Sequence, residues 1–168
     1  PHGHMAIGTT VFPTGIGMAA TWSPTLIEEV GNVIAKEIRS QGAHISYGPV
    51  LDLSRDPRWS RVEETFGEDP VLSGRLGAAM ILGLGSGDLS CEYATIATLK
   101  HFLAYAVPEG GQNGNYASVG TRDLHENFLP PFREAIDAGA LSVMTSYNSI
   151  DGVPCTANHY LLTQLLRN

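Results

Sequence analysis

Basic residues are scarce in this chain, where ten Lys and Arg stand against 17 Asp and Glu and give a formal net charge of −7. Nucleic-acid binding needs Lys and Arg concentrated on one surface, because these side chains must face the phosphates. The ten basic residues are instead scattered along the sequence. We therefore expect no nucleic-acid partner.

Cysteine and long apolar segments are also rare. Cys91 and Cys155 fit neither a zinc-site spacing nor a C-x-x-C redox motif, and we interpret them as two buried free thiols. No apolar run approaches the roughly 20 residues of a membrane span, and residues 1–5 lack the basic and apolar regions of a signal peptide. We expect no membrane partner and a chain that begins in the middle of a domain.

Several catalytic signatures are missing as well. The sequence contains no H-E-x-x-H, EF-hand, G-x-S-x-G or P-loop motif, so a metal site and a serine-hydrolase site have no support. The composition, with 43% hydrophobic and 16% charged residues in 168, is that of one globular domain with a sizeable core.

Four segments carry helix signals. Ser23-Pro24 and Asp69-Pro70 each place a capping side chain before a proline, which is tolerated at the first helical position. Apolar residues with helical spacing follow both starts: Leu26, Ile27, Val30, Ile34 and Ile38 in the first helix, and Leu72, Leu76, Ala79 and Met80 in the second. Gly42 predicts the end of the first helix. Further helices are predicted over 121–138, divided at Pro130-Pro131, and from Asn158 onward.

Three short apolar runs between these helices, over residues 44–50, 94–99 and 141–147, predict buried strands. Their nearly continuous apolarity is typical of strands covered on both faces of a parallel sheet. Strands that alternate with helices indicate an α/β fold, either a (β/α)8 barrel or a doubly wound sheet.

The positions of glycine-rich and polar segments favour the barrel. The glycine-rich run 83–87 follows a helix rather than the first strand, so it does not predict a phosphate-binding turn. Polar stretches 52–69 and 106–121 follow strands, where barrel enzymes place their catalytic loops. A complete barrel needs about 250 residues. We therefore predict an α/β fold, a partial TIM-type (β/α)8 barrel with three to four βα units, in which residues 1–168 form one incomplete domain.

Polar side chains follow each predicted strand. Arg55, Arg58 and Arg61 follow the first strand, and two of them flank Trp59. They can either bind vicinal hydroxyls or a carboxylate, or pair with Glu63, Glu64 and Glu68 in an internal network. In the first interpretation the tryptophan supplies an apolar face for a sugar ring.

Lys100-His101 and Ser146-Tyr147-Asn148 end the next two strands, at the active face of a barrel. Lys100 and His101 can hold neighbouring hydroxyls, although a Schiff-base lysine and a structural histidine are open alternatives. Tyr147 can orient a carboxylate or simply cap the barrel. No two carboxylates stand out as the pair that glycoside hydrolysis requires.

Taken together, these clusters resemble glycoside hydrolase family 3. The string from Gly48 to Pro70, then Lys100-His101-Phe102 and residues 143–148, match the family's motifs in order, and the front segment with His2-Gly3 and residues 10–13 and 20–22 fits too. The resemblance implies a (β/α)8-type barrel followed by an α/β sandwich domain, and a retaining, exo-acting β-glucosidase or β-xylosidase that needs no cofactor. It also suggests a periplasmic or secreted protein.

The resemblance also implies roles for particular residues. Arg61, Lys100 and His101 would bind hydroxyls of the terminal sugar in the −1 subsite, and Tyr147 would lie against the catalytic nucleophile. The family's nucleophile, an Asp, is expected a short way beyond Asn168, and its general acid/base, a Glu, in the following domain. A further acidic sugar-binding residue is expected just before Pro1. The chain would then contain no catalytic residue and bind a β-glucoside or β-xyloside only together with the rest of the barrel and the sandwich domain.

Two departures from the family pattern narrow the range of expected contacts and activities. Some members carry a sugar-binding Arg shortly after the Lys-His pair, where this chain has residues 109–113 and no Arg. A sugar contact from this loop is therefore not expected unless Glu109 or Asn113 substitutes for the Arg. The hexosaminidase branch has Pro-Gly-His-Gly after Lys-His-Phe, where this chain has residues 103–106, Leu-Ala-Tyr-Ala. A glucosidase or xylosidase is favoured, with a non-catalytic sugar-binding fragment and an aldolase-like barrel as alternatives.

Overall fold

Three parallel strands form the sheet of the computed structural model, which describes residues 2–167. They are β1 (Ile45–Ser46), β2 (Ile96–Phe102) and β3 (Ser142–Thr145), in the order β1-β2-β3. Ile45 pairs with Ile96 and Thr98 with Ser142, and the register shifts between Leu99 and Phe102. β1 is shorter than predicted, and β2 is longer because it continues through Lys100 and His101.

Two of the predicted helices begin where their caps indicated. After the short α1 (Gly15–Ala19), α2 (Pro24–Ser40) is capped by the Ser23 hydroxyl, which accepts from the Leu26 amide. The Asp69 carboxylate caps α3 (Pro70–Leu84) in the same way through the Leu72 amide. Gly42 follows α2 with φ of 80°, a conformation that suits glycine.

The apolar stripes of these helices form a large part of the core. Ile27, Val30, Ile34 and Ile38 are buried, whereas Leu26, a member of the same predicted stripe, is 43% exposed. Leu26 lies one residue from Ile27, and a step of one residue along a helix turns the side chain by roughly 100° away from the packed face.

The third predicted helix is continuous rather than divided. It consists of α4 (Thr121–Asp123), a π-helical segment (Leu124–Phe128) and α5 (Leu129–Asp137). The Leu129 amide donates to the Leu124 carbonyl five residues back, and Pro130 and Pro131 then occupy the first turn of α5, where a missing N–H is tolerated. The prolines therefore accompany a change of helix type instead of a break.

The last part of the chain holds a hairpin and a second π-helix. β4 (Ser149–Ile150) and β5 (Val153–Pro154) pair antiparallel around Asp151-Gly152, whose φ angles are both positive. This Asp-Gly hairpin signal was overlooked in the sequence. The π-helix Tyr160–Leu165 agrees with the helix predicted from Asn158, whose side chain accepts from the Leu161 amide.

A helical segment thus follows each of the three parallel strands before the next one begins or the described chain ends, which makes three βα units within residues 2–167. α3 packs against both α2 and α5. None of the helices within residues 2–167 combines the length and apolar character that crossing a bilayer would require. Both cysteines are free thiols; Cys155 is buried as predicted, whereas Cys91 is partly exposed.

α2 and α3 cross at two glycines that let their backbones touch. A Cβ on Gly31 would lie 2.9 Å from the Met80 carbonyl oxygen, and one on Gly83 would lie 2.9 Å from the Gly31 Cα and collide with the Glu28 carbonyl oxygen. The neighbouring atoms belong to the backbone, which cannot move out of the way as the end of a flexible side chain can.

We expect Gly83→Ala to lower the free energy of unfolding by about 1–3 kcal/mol, because the added methyl forces the two helices apart. The higher helix propensity of Ala offsets only part of this loss, about 1 kcal/mol. Denaturant or thermal unfolding measures the change. Gly120→Ala is the matched control, since a Cβ there meets nothing within 4 Å. Equal stability of both variants would show that the crossing tolerates a side chain.

Candidate active site

The carboxyl ends of the strands bring polar residues from three parts of the chain together. Beyond β1, the chain continues alongside β2: Val50 bridges Lys100, and the Leu51 amide donates to the Lys100 carbonyl at 2.7 Å. Asp52 therefore arrives beside His101, and the loop that follows supplies Arg61 and Glu64. Beyond β3, the Ser146 amide donates to the Phe102 carbonyl at 2.8 Å, which places Tyr147 at the same edge.

Arg61 is held by Glu64 in a two-point ion pair. The 3-10 helix Val62–Glu64 turns the carboxylate back, so that Arg61 Nε and Nη2 donate to Glu64 Oε1 and Oε2 at 2.6 and 2.9 Å. This pairing raises the pKa of Arg61. Burial alone would raise the pKa of Glu64, but the hydrogen bonds and charge of Arg61, with the charge of Lys100, leave it below its ordinary value. Arg61 therefore pairs with one of the glutamates of the predicted internal network, and this pair does not use its Nη1.

Lys100 lies on the other side of Glu64. Its Nζ is 3.7 Å from Glu64 Oε2, and the side chain is only 12% exposed. Burial lowers the pKa of Lys100, and the positive charge of Arg61 adds to this effect, while the charge of Glu64 opposes it. The ammonium thus lies within ion-pair range of one carboxylate but beyond hydrogen-bonding distance of it, which leaves its N–H groups available.

His101 is buried and contacts both an acid and a base. Its Nδ1 lies 2.7 Å from Asp52 Oδ2, its backbone amide donates to the same oxygen at 3.1 Å, and its Nε2 lies 3.2 Å from Arg61 Nη2. Asp52, Arg61 and His101 therefore form one connected polar chain that continues through Glu64 toward Lys100.

Tyr105 occupies the centre of the aromatic side of the site. Its ring meets those of Trp59, His101 and Tyr147 edge to face, with centroids 5.2, 4.8 and 5.9 Å away. The guanidinium carbon of Arg61 lies 5.5 Å from the Tyr105 ring centroid. Tyr147 is 76% exposed and joins the cluster through its ring contact with Tyr105. The structure thus brings Arg61, Lys100, His101 and Tyr147 to one place.

Sequence reasoning assigned no role at the site to Asp52 or Tyr105, although both help to organise it. Glu64 was considered only as one of three possible partners of the arginines. Tyr105 lies within a few residues of Lys100-His101 and could have been considered. The contact between Asp52 and His101, by contrast, depends on pairing between distant segments.

Arg55, Arg58 and Trp59, which precede Arg61 in the sequence, make other contacts. Arg55 pairs with Asp123 at 3.0 Å and Arg58 with Asp56 at 2.7 Å, so the glutamate partners predicted for them were wrong. Trp59 is only 2% exposed, and its indole N–H donates to Asn113 Oδ1 at 2.9 Å. The tryptophan therefore offers no free face to a sugar, and the oxygen of Asn113 is already engaged in the contact that joins the two loops.

The arrangement can bind a neutral polyhydroxylated ligand. Two cations, Arg61 and Lys100, are balanced by two carboxylates, Asp52 and Glu64, so the cluster carries no excess charge when His101 is neutral. Within the described residues, no group of three or more His, Cys, Asp or Glu side chains is placed to hold a metal ion.

We expect Glu64→Gln to lower the pKa of Lys100 further, because the charge that opposes burial and Arg61 is removed. The amine would then become reactive toward reductive methylation at lower pH, as mass spectrometry across a pH series would measure. Glu63→Gln is the matched control, since Glu63 is exposed and makes no ion pair with Lys100. An unchanged pH dependence in Glu64→Gln would contradict this electrostatic account.

Comparison with known proteins identifies the family to which the chain is similar. The model of the "Glycosyl hydrolase family 3 N terminal domain" matches residues 1–168. The chain is 43% identical over 164 residues to a β-xylosidase of Formosa agariphila and 35% identical over 159 residues to a periplasmic β-glucosidase of Salmonella typhimurium. These matches cover 95% of this chain and 23% and 21% of the two relatives, so the chain spans about a fifth of their length.

Solved structures show the same similarity. A β-glucosidase from Listeria innocua, solved in complex with glucose, is 40% identical with a TM-score of 0.93, and the match covers 99% of this chain and 23% of that one. An exo-1,3/1,4-β-glucanase from a Pseudoalteromonas species is 34% identical with a TM-score of 0.94, covering 99% and 21%. The prediction of an α/β partial barrel is confirmed, and the chain belongs to glycoside hydrolase family 3, with the fold of part of the family's N-terminal TIM-barrel domain.

Proposed function

We propose that this chain is the sugar-holding part of a retaining family 3 β-glycosidase that removes terminal β-linked glucose or xylose. One observation carries the proposal: Arg61, Lys100, His101 and Tyr147 come from three separate segments and meet at the carboxyl edge of the sheet. This edge is where barrel enzymes bind substrate. The names of the related β-glucosidases and β-xylosidases support the substrate class.

Each of the four side chains has a capacity that suits a pyranose. Lys100 is nearly enclosed yet has no acceptor within hydrogen-bonding distance among residues 2–167, so a sugar hydroxyl can accept from its ammonium. Arg61 keeps Nη1 free of Glu64 and His101. Tyr147 presents an exposed phenol beside this group. The balanced charge of the cluster favours a neutral sugar over a uronic acid or a phosphorylated sugar.

The two carboxylates of the cluster are unsuited to act as nucleophile and acid/base. Asp52 is buried against His101, and Glu64 is held at two points by Arg61. Retaining hydrolysis needs a nucleophilic carboxylate and a second carboxyl group about 5–5.5 Å apart across the sugar. We therefore propose that these two groups come from the remainder of the catalytic barrel and from a C-terminal α/β sandwich domain, and that the chain alone is inactive.

This segment would contribute to catalysis through positioning. The transition state of glycoside hydrolysis resembles an oxocarbenium ion, and hydrogen bonds to ring hydroxyls strengthen as it forms. Groups held in place before the reaction stabilise that state without the cost of reorganising. The ion pair of Arg61 with Glu64 and the contact of His101 with Asp52 hold the groups in this way.

One observation favours a second candidate. Burial lowers the pKa of Lys100, and a lysine with a lowered pKa can form a Schiff base with a carbonyl substrate, as in an aldolase-like barrel.

Sugar binding without hydrolysis is the third candidate, which calorimetry with glucose and xylose would reveal.

Substitution of the cluster in the full-length protein distinguishes these candidates. We expect Lys100→Ala and His101→Ala each to reduce kcat/KM for an aryl β-glucoside or β-xyloside by about 100- to 1000-fold, because donors fixed in a water-poor site are lost. Arg122→Ala is the control, since its ion pair with Glu126 is at the surface and 87% of the arginine side chain is exposed. Unchanged hydrolysis in both cluster variants would remove the proposed role.

The lysine chemistry is tested separately in the same protein. Borohydride treatment in the presence of a carbonyl substrate traps a Schiff base as a stable adduct on the lysine. We expect no adduct on Lys100, and an adduct found there by mass spectrometry would favour the aldolase-like candidate instead.

A further inference from the structure

The side chain of Asp52 is committed to one neighbour. It is buried, and Oδ2 accepts both from the backbone amide of His101 at 3.1 Å and from the ring at Nδ1, 2.7 Å away. The backbone hydrogen bond from Leu51 to Lys100 fixes the alignment of the two chain segments one residue earlier. Asp52 therefore meets His101 because of sheet pairing rather than chance proximity of flexible side chains.

The contact on the other side of the ring determines which nitrogen carries the proton. Arg61 Nη2 lies 3.2 Å from His101 Nε2, and a guanidinium can only donate. Nε2 must therefore accept, which leaves the single proton of a neutral imidazole on Nδ1. That proton points to Asp52 Oδ2, a carboxylate oxygen that accepts. Both contacts are consistent with this tautomer and with no other.

We propose that Asp52 is a positioning residue that holds His101 in the Nδ1-protonated form, so that its Nε2 lone pair faces the sugar site as an acceptor. This inference rests on the proposed function, because it assigns a direction to one contact of the same site. Lys100 and Arg61 can only donate, whereas Nε2 of His101 held in this way can only accept.

The mixture of fixed donors and a fixed acceptor matches the chemistry of a hydroxyl group. A sugar hydroxyl can accept from Lys100 and, through its own proton, donate to His101 Nε2 in place of the Arg61 contact. The site then requires a group that both donates and accepts. An ether or a hydrogen atom at the same ring position satisfies at most one of these contacts and leaves the other group unpaired, which is costly in a buried site.

Two substitutions of Asp52 in the full-length protein separate its acceptor oxygen from its charge. Asp52→Ala removes the oxygen, and we expect kcat/KM to fall by about 10- to 100-fold because the donors of His101 are left unpaired. Asp52→Asn keeps an oxygen for both donors, since the backbone amide of His101 can face only the carbonyl end of the new side chain. We therefore expect Asp52→Asn to restore most of the activity lost in Asp52→Ala.

Proton NMR reports the tautomer directly. A buried imidazole N–H that is shared with a carboxylate at 2.7 Å should give a strongly deshielded, slowly exchanging resonance. We expect this resonance to disappear in Asp52→Ala and in His101→Gln, which assigns it, and to move upfield in Asp52→Asn because a neutral amide is a weaker acceptor. Should Asp52→Ala fail to fold, the shift in Asp52→Asn remains a sufficient test.

Ser73→Ala is the control for loss of a buried polar group. The Ser73 hydroxyl is buried on α3 and has no hydrogen-bond partner among the described residues. We expect the resonance and kcat/KM of this variant to match those of the unmodified protein. The inference is overturned if the unmodified protein lacks the resonance, if Asp52→Asn leaves its position unchanged, or if folded Asp52→Ala keeps full kcat/KM. A protein that shows the resonance but hydrolyses neither glycoside would overturn the proposed function and leave the tautomer assignment standing.

Discussion

Parallel pairing of the segment after β1 with β2 is the constraint on which the site depends. The bridge between Val50 and Lys100 and the hydrogen bond from the Leu51 amide place Asp52 opposite His101. The same pairing sends the following loop over the sheet edge, where it returns Arg61 and Glu64 to Lys100. A shift of one residue in this register would turn Asp52 to the other face of the strand. His101, Arg61 and Lys100 would then lose the carboxylates that connect them.

Electrostatic balance explains why two cations can lie so close together in a largely buried place. Arg61 and Lys100 repel each other, and burial disfavours the charge of Lys100. Glu64 offsets both effects because it reaches the two cations at once. Buried ion pairs contribute little net stability, since desolvation consumes most of the attraction. The value of this network therefore lies in the fixed positions of its donors, which is the property that a sugar-binding site requires.

Helix packing provides the support for this edge of the sheet. α3 contacts α2 through Gly31 and Gly83 and contacts α5 on its other side. Phe102, at the end of β2, packs edge to face on Phe132 of α5 with centroids 5.2 Å apart. The strand that carries Lys100 and His101 is thereby anchored next to the site by an aromatic contact. The polar loops form the exposed surface at the carboxyl ends of the strands.

Local sequence signals were sufficient for two helix starts and the α/β class, because capping and periodicity depend on neighbouring residues. Strand-end placement pointed to Lys100, His101 and Tyr147, and the family resemblance singled out Arg61; their roles in sugar binding stay predictions. The continuous helix through Pro130, the commitment of Trp59 to Asn113, and the roles of Asp52, Glu64 and Tyr105 were decided only by tertiary structure. Asp52 and His101 are 49 residues apart, and Trp59 and Asn113 are 54 apart. Such contacts follow from sheet register and loop packing, which bring distant residues within a few ångströms without leaving any periodic trace in the sequence.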